Sequence, residues 1–399
     1  MLFLTIVFAS GSPAARSPDS AATNSGRLSN IWVDHSHHRT VSGINFSKKS
    51  DLLVSGDENG QLVVRKTESG TVVHTFTPGN GDNGSPGFLQ NTLSGLQSAL
   101  YYTLAHFPYS ILDPTFVPRA MLSDRPSDLE AFTFSPVTED ELLVCKPDQA
   151  LVIHNLTDAE RTRSHTEAIK QYRACNDVLL TSEKTNSIFT DGYRDFENRT
   201  SLPLIVQYNP MTETTIDTFP GLYGESIWSA DLSADGNKLV TGEDDSIVEV
   251  IDLRSGTVES TFRAYSDTEA AGFDWIRDVY FFQSGTKLVT SMTTSNVLKF
   301  WTLEPGPRLT DTVTLPDWPR NLAISENRNL LAFSTGKKIG FVTLHDRQLR
   351  WLQTIHNDRI NAIAFSSDGQ YIATGSGEDW DAKGKRDYSV KLWKTPAIR

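Results

Sequence analysis

The sequence predicts an all-β fold assembled from repeated four-stranded antiparallel units. Three observations carry that prediction. Runs of alternating apolar and polar residues recur along the chain, clusters of Gly, Asp, Asn and Ser punctuate them, and whole blocks return at a spacing of about 40 residues. Alternation at period two puts successive side chains on opposite faces of a strand, so one face of each run is built for burial. A repeat of this length buries its apolar face only against its neighbours.

Three copies are clearest. They run Thr40–Phe76, "TVSGINFSKKSDLLVSGDENGQLVVRKTESGTVVHTF", then Ser226–Phe262, "SIWSADLSADGNKLVTGEDDSIVEVIDLRSGTVESTF", then Arg359–Lys394, "RINAIAF…YSVKLWK". Each opens with an alternating strand ending in Ser, turns through Asp, Gly, Lys or Ser, and continues into a strand of the form "LLVSG". Weaker copies begin at Asp128, Ala168, Trp275 and Arg320, which brings the total to seven. Seven such units predict a seven-bladed β-propeller.

From about Arg27 onward the chain resembles the WD-repeat (WD40) β-propeller family. The last copy carries the resemblance best: His356, Thr374, Asp387 and Trp393 match the family's His, Ser/Thr, Asp and Trp. The resemblance implies that these four bond to one another across a blade and are structural. A buried indole N–H and a buried carboxylate both need partners. Other copies depart from the pattern. Arg65 and Ile251 stand at the Trp position, Trp301 restores it, and Asp245 matches the Asp in the fourth copy.

The seventh copy stops after three strands, at Trp393–Thr395. "RLSNIWVDH", Arg27–His35, reads as the missing fourth strand, ending in Asp34-His35 where the family has Gly-His. Pairing of the two chain ends would fasten the ring and remove exposed edges.

Residues 27–399 are therefore expected to form the propeller, with 1–26 as a flexible, Ser/Ala/Pro-rich lead-in or a signal segment. Leu2–Ala9 is apolar and small residues follow it, but no Lys or Arg precedes it. A cytoplasmic location is expected, the alternative being a secreted or periplasmic one if residues 1–11 are cleaved. Insertions are expected at 78–127, at 184–201 between strands two and three of the third copy, and at 377–386 in the closing copy. The first holds Leu89, Leu93, Leu96, Leu100 and Leu104 at helical spacing after Ser85-Pro86, which predicts a short helix. Blade topology sends the loop joining strands two and three, and the loop joining blades, to one face.

A net charge of -12 argues against a general nucleic-acid binder, which needs clustered Lys and Arg, and leaves room for a local basic patch. The two cysteines, Cys145 and Cys175, are too few for a disulfide framework or a cysteine-rich zinc site, and both read as small buried strand residues. The chain contains no phosphate-binding loop, dinucleotide fingerprint, zincin motif or nucleophile elbow. Of His35, His37 and His38, one fills the family's His position and the others read as solvated loop, so no metal and no cofactor are expected. The sequons at Asn45, Asn83, Asn155 and Asn198 matter only in a secreted chain.

Aligned at the first strand, the copies share a different signal. The residue before the first apolar position is Trp275, Trp318 or Arg359 in copies five to seven, and the one after it is Trp228, Arg277, Arg320 or Asn361 in copies four to seven. The resemblance places these positions around the channel mouth, on the insertion-bearing face. Trp and Arg are enriched in interface hot spots. Trp380, between Asp379 and Asp381 in the third insertion, joins the candidate set. The expected function is a non-catalytic scaffold for a peptide or protein segment carrying acidic or aromatic groups. The competing expectation is a propeller enzyme, or a small-ligand or metal binder using the central channel.

Overall fold

The structure is a computed structural model that describes residues 28–76, 131–145, 151–158, 162–165, 172, 174, 178–195, 201–220, 226–266, 275–377 and 386–398. Within these residues, 28 strands form seven four-stranded antiparallel sheets, the blades of a closed β-propeller. The first strand, β1 (Asn30–Asp34), is set apart from the regular order. Blade one comprises β2 (Val41–Phe46), β3 (Leu52–Asp57), β4 (Leu62–Lys66) and β5 (Val72–Phe76). Blade two follows with β6 (Ala131–Phe134), β7 (Glu141–Cys145), β8 (Leu151–Asn155) and β9 (Arg163–His165). Blade three holds β10 (Leu179–Ser182), β11 (Ser187–Asp195), β12 (Ser201–Asn209) and β13 (Thr214–Pro220). Blade four holds β14 (Ile227–Leu232), β15 (Lys238–Glu243), β16 (Ile247–Asp252) and β17 (Thr257–Arg263). Blade five is β18 (Ile276–Phe282), β19 (Lys287–Met292), β20 (Val297–Thr302) and β21 (Arg308–Thr314). Blade six is β22 (Leu322–Ser325), β23 (Leu330–Thr335), β24 (Lys338–Thr343) and β25 (Leu349–Thr354). Blade seven combines β26 (Arg359–Phe365), β27 (Tyr371–Gly377) and β28 (Val390–Lys394) with β1.

The Ser that closes the first strand of blades four and seven explains the turn after it. In blade four, Ser233 Oγ donates to Asp235 at 2.6 Å and accepts from the Lys238 amide at 2.9 Å, and Gly236 takes φ +65°. Blade seven repeats this with Ser366, Asp368, Tyr371 and Gly369 at φ +68°. A short side chain that bonds local backbone and a residue free to adopt positive φ are what a tight turn needs.

Apolar residues form seven separate clusters, one at each junction between neighbouring blades. Val240, Val248 and Val250 of blade four meet Ile276, Leu288 and Trp301 of blade five, for example, and Val41, Ile44 and Leu53 of blade one meet Ala373, Val390 and Leu392 of blade seven. The Gly closing the second strand lets the next blade approach closely. A Cβ on Gly375 would lie 2.4 Å from Val41, and one on Gly242 would lie 2.5 Å from Ile276.

The ring closes through β1, which pairs antiparallel with β28 from Asn30 opposite Trp393 to Asp34 opposite Val390. Trp32 Nε1 donates to the Thr67 carbonyl of blade one at 2.7 Å, and Leu28 is buried in the cluster between blades six and seven.

Two expectations change. Residues 184–201 are not an insertion between strands two and three of blade three. "LLTS" is its first strand, and Ser187–Asp195 is its second, paired with β12 as far as Asp195 opposite Ser201. An apolar run before a turn looks alike in either strand, so the copy was read one strand out of register. Cys145 is buried in the cluster between blades two and three but is disulfide-bonded, not a free packing residue; the sequence holds one other cysteine, Cys175. The helix expected in 78–127, and most of the insertion at 377–386, lie outside the described residues; those described contain two short 3-10 turns and no α-helix.

Removing residues 1–36 leaves β28 with a bare edge and uncovers two blade junctions. A melting temperature lowered by many degrees relative to the full chain is expected from differential scanning calorimetry, because unpaired backbone and apolar surface are exposed together.

Candidate functional site

Blade seven holds a chain of buried hydrogen bonds. Trp393 Nε1 donates to Thr374 Oγ1 at 2.9 Å, Thr374 Oγ1 lies 2.8 Å from His356 Nε2, and His356 Nδ1 lies 3.3 Å from Asp387. Since the indole can only donate, the hydroxyl proton goes to Nε2 and the imidazole proton to Asp387. Burial alone would raise the Asp387 carboxyl. Bonds from His356, Ser389 and the Asn357 amide outweigh it and hold the group well below the usual carboxylate range. Burial pushes the His356 imidazole down, which keeps it neutral.

Blade one builds the same relay with different residues. Ser55 Oγ lies 2.8 Å from His37 Nε2, and His37 Nδ1 lies 3.2 Å from Asp57. The indole is replaced by Arg65, whose Nη1 donates to Ser55 Oγ at 2.7 Å. Arg65 faces Leu53 in the register in which Trp393 faces Ile372. It is fully buried and ion-paired with Asp34 at the end of β1, so it also grips the closing strand. The family's His is therefore His37 and not His35, which is exposed along with His38. In blade five Trp301 Nε1 donates to Thr290 Oγ1 at 3.1 Å, and Tyr265 stands in for the His. Its hydroxyl lies 2.8 Å from the Thr290 carbonyl and 2.9 Å from the Val297 carbonyl, which share its one proton.

The channel mouth brings together four of the candidate residues. The rings of Trp228 and Trp275 stack with centroids 5.0 Å apart and planes 22° apart. Trp228 Nε1 donates to Asp244 Oδ1 at 2.6 Å, and Asp244 Oδ2 accepts from the Ser226 amide at 3.1 Å. Asp244 belongs to the turn between β15 and β16, so that turn pins the Trp at the head of β14. Trp228 nevertheless stays 40% exposed. Arg277, half-buried beside it, donates from Nη1 to the Arg320 carbonyl at 3.3 Å. Trp228, Arg277, Asp278 and Tyr280 line a cavity of about 190 Å³. A second space of about 330 Å³ continues along the channel past Asp278, Tyr280, Asn321 and Asn361. Burial pushes the Asp278 carboxyl up to about 6, partly offset by Arg277 and the Ser291 hydroxyl. Trp318 is 56% exposed, Arg359 opens β26, and Trp380 lies outside the described residues.

The carboxylate expected at Asp245 in the fourth blade is instead Asp244: Asp245 is exposed at φ +53°, and Asp244 bonds Trp228 and the Ser226 amide. The blade also holds a buried carboxyl pair that the repeat pattern does not predict. Glu243 and Glu249 are fully buried, and Thr241 Oγ1 donates to Glu243 at 2.9 Å. Burial first, and the neighbouring Glu249 second, push Glu243 up to about 8, so the pair holds a proton at neutral pH. The "GEDD" run was the available signal.

Blades one and seven of this closed ring of seven four-stranded blades carry hydrogen-bonded relays similar to those of WD-repeat propellers. Residues 348–394 match the family model "WD domain, G-beta repeat" (WD40). The chain is thus a seven-bladed propeller carrying a WD40 repeat. That match spans the outer strand of blade six and the inner three of blade seven, the stagger that ring closure by β1 requires. No curated protein matches the chain significantly.

Arg65→Met should lower unfolding free energy by about 3–5 kcal/mol in urea titrations, since it strips a buried cation from Asp34 and a donor from Ser55. A loss under about 1 kcal/mol would show that the pair does not hold β1. Glu243 supplies a pH test. In the unfolded chain it loses its proton near the ordinary carboxylate value, whereas the folded chain keeps it up to about 8. The unfolded state then binds fewer protons, so this group's contribution to stability falls as pH rises across that window and is flat on either side. Glu243→Gln should therefore raise the melting temperature at pH 8.5 and change it little at pH 4.

Proposed function

We propose that the protein is a non-catalytic scaffold that binds a peptide or protein segment at the channel mouth of blades four to seven. The observation that carries this reading is the Trp228–Trp275 stack, held open to solvent by Asp244 beside Arg277 and Arg320. Aromatic area fixed before binding loses little entropy when a partner arrives, and guanidinium groups add directional contacts. Propellers of this class typically serve as interaction platforms. Arg359 and Trp318, on the neighbouring blades, extend the surface, and a partner carrying acidic or aromatic groups complements it.

The Ser–His–Asp and Thr–His–Asp sets support a non-catalytic reading too. Their spacing resembles a nucleophile relay, yet Ser55 and Thr374 are fully buried and each hydroxyl oxygen already accepts a bond from Arg65 or Trp393. Neither oxygen reaches solvent, where a substrate would have to meet it.

Pulldown from native extract should recover partners with wild-type protein and lose them at least tenfold with Trp275→Ala/Arg320→Ala. Equal recovery by a double mutant of unchanged melting temperature would reject this surface.

A further inference from the structure

Arg277 is an unusual cation for a channel wall. Burial lowers its pKa, its Nη1 is committed to the Arg320 carbonyl at 3.3 Å, and its buried Nε has no hydrogen-bond partner among the described residues. Nor has it an ion-pair partner among them; the adjacent Asp278 is bonded to Ser291 Oγ at 2.9 Å. A buried N–H without an acceptor is costly, so such a group fits a place where a ligand supplies the acceptor.

The neighbouring cavity narrows the choice. At about 190 Å³ it is below the range of roughly 300–1,000 Å³ common for pockets that enclose whole small molecules, and it suits one side chain. Its lining is mixed: Val178, Leu180, Ala230 and Val279 stand among Ser229, Asp278 and Tyr280, with Trp228 and Arg277 beside them. Arg277 is the only cation in that lining, and the apolar members leave room for the short hydrocarbon stem of an acidic side chain. A single cation beside Asp278 fits a monoanion better than a dianion, because the second charge would meet a carboxylate.

We infer that this cavity receives the carboxylate of an acidic side chain, glutamate-like in length, held side-on by the Nε–Nη2 edge of Arg277. This rests on the proposed scaffold reading and adds the chemistry of one anchor residue in the partner. The edge left over after Nη1 bonds Arg320 is one that takes a carboxylate with two parallel hydrogen bonds.

The test uses the full chain and three probes: the amides of acetyl-glutamate, acetyl-glutamine and acetyl-phosphoserine. Each is titrated to tens of millimolar at constant ionic strength while the Arg277 Nε–H resonance is followed by NMR; its assignment comes from its loss in Arg277→Lys. A saturable shift with the glutamate probe, at least tenfold weaker with glutamine, is the expected result. Equal shifts with both, or no shift with either, overturn the inference, as does tighter binding of the phosphoserine probe. The two readings fail separately. A silent Arg277 alongside partners lost by the Trp275/Arg320 double mutant removes only the carboxylate pocket, whereas partner recovery by that mutant removes the surface itself.

Discussion

A blade of this protein has no private core. Each sheet buries its faces only against the blades beside it, and the seven apolar clusters sit at the seven junctions. Stability is therefore a property of the closed ring, because opening one junction exposes two faces and an edge at once. This makes the pairing of β1 with β28 the constraint on which the rest depends. It also explains why the closing strand is held by more than its ladder. Trp32 reaches the Thr67 carbonyl of blade one, and Asp34 meets a guanidinium buried in the same blade.

The same constraint governs which residues stand at the repeat's Trp position. Arg65, Ile251, Trp301, Val342 and Trp393 occupy one register, each buried, yet they differ in charge and size. What the position demands is satisfaction of neighbours. Where Ser55, Thr290 or Thr374 faces it, the residue donates a hydrogen bond. In blade six the hydroxyl position is Phe333, no donor is needed, and Val342 serves. There Gly340 lies beneath the Phe333 ring, and a Cβ would come within 2.3 Å of it. In blade four, where Ile251 offers no donor, the Thr241 hydroxyl donates to Glu243 instead, so each buried hydroxyl still finds a partner or gives way to apolar contact.

This rule shows why the architecture was legible in the sequence and parts of the detail were not. Strand alternation, turn chemistry and the repeat spacing are local properties, so seven blades, the closing strand and the relay of blade seven could all be read. Partner choice across space is not local. His37, His35 and His38 look alike on paper, and only the position of Ser55 and Asp57 selects His37. The third blade was misplaced because its sequence keeps apolar runs but lacks the family residues that fix register. Cys145 reads as packing for the same reason, since a pairing is set by the fold and not by spacing. At the mouth, alignment brought the Trp and Arg positions onto neighbouring blades, but not the Asp244 contact that orients Trp228.

Blade four departs furthest from its neighbours, and it does so beside that contact. Two acids stand inside it, and one of them, Glu243, directly precedes Asp244. A carboxyl pair that retains a proton only because it is buried adds nothing to the stability of the blade; apolar residues of similar volume would hold it at least as well. The pair does fix the chain at the end of β15, where Asp244 must present both oxygens, one to the Ser226 amide and one to the Trp228 indole. The cost therefore lies where the orientation of an exposed Trp is set. The six other blades close the ring around that orientation, and on the proposed reading a Trp fixed in this way loses little entropy when a partner arrives.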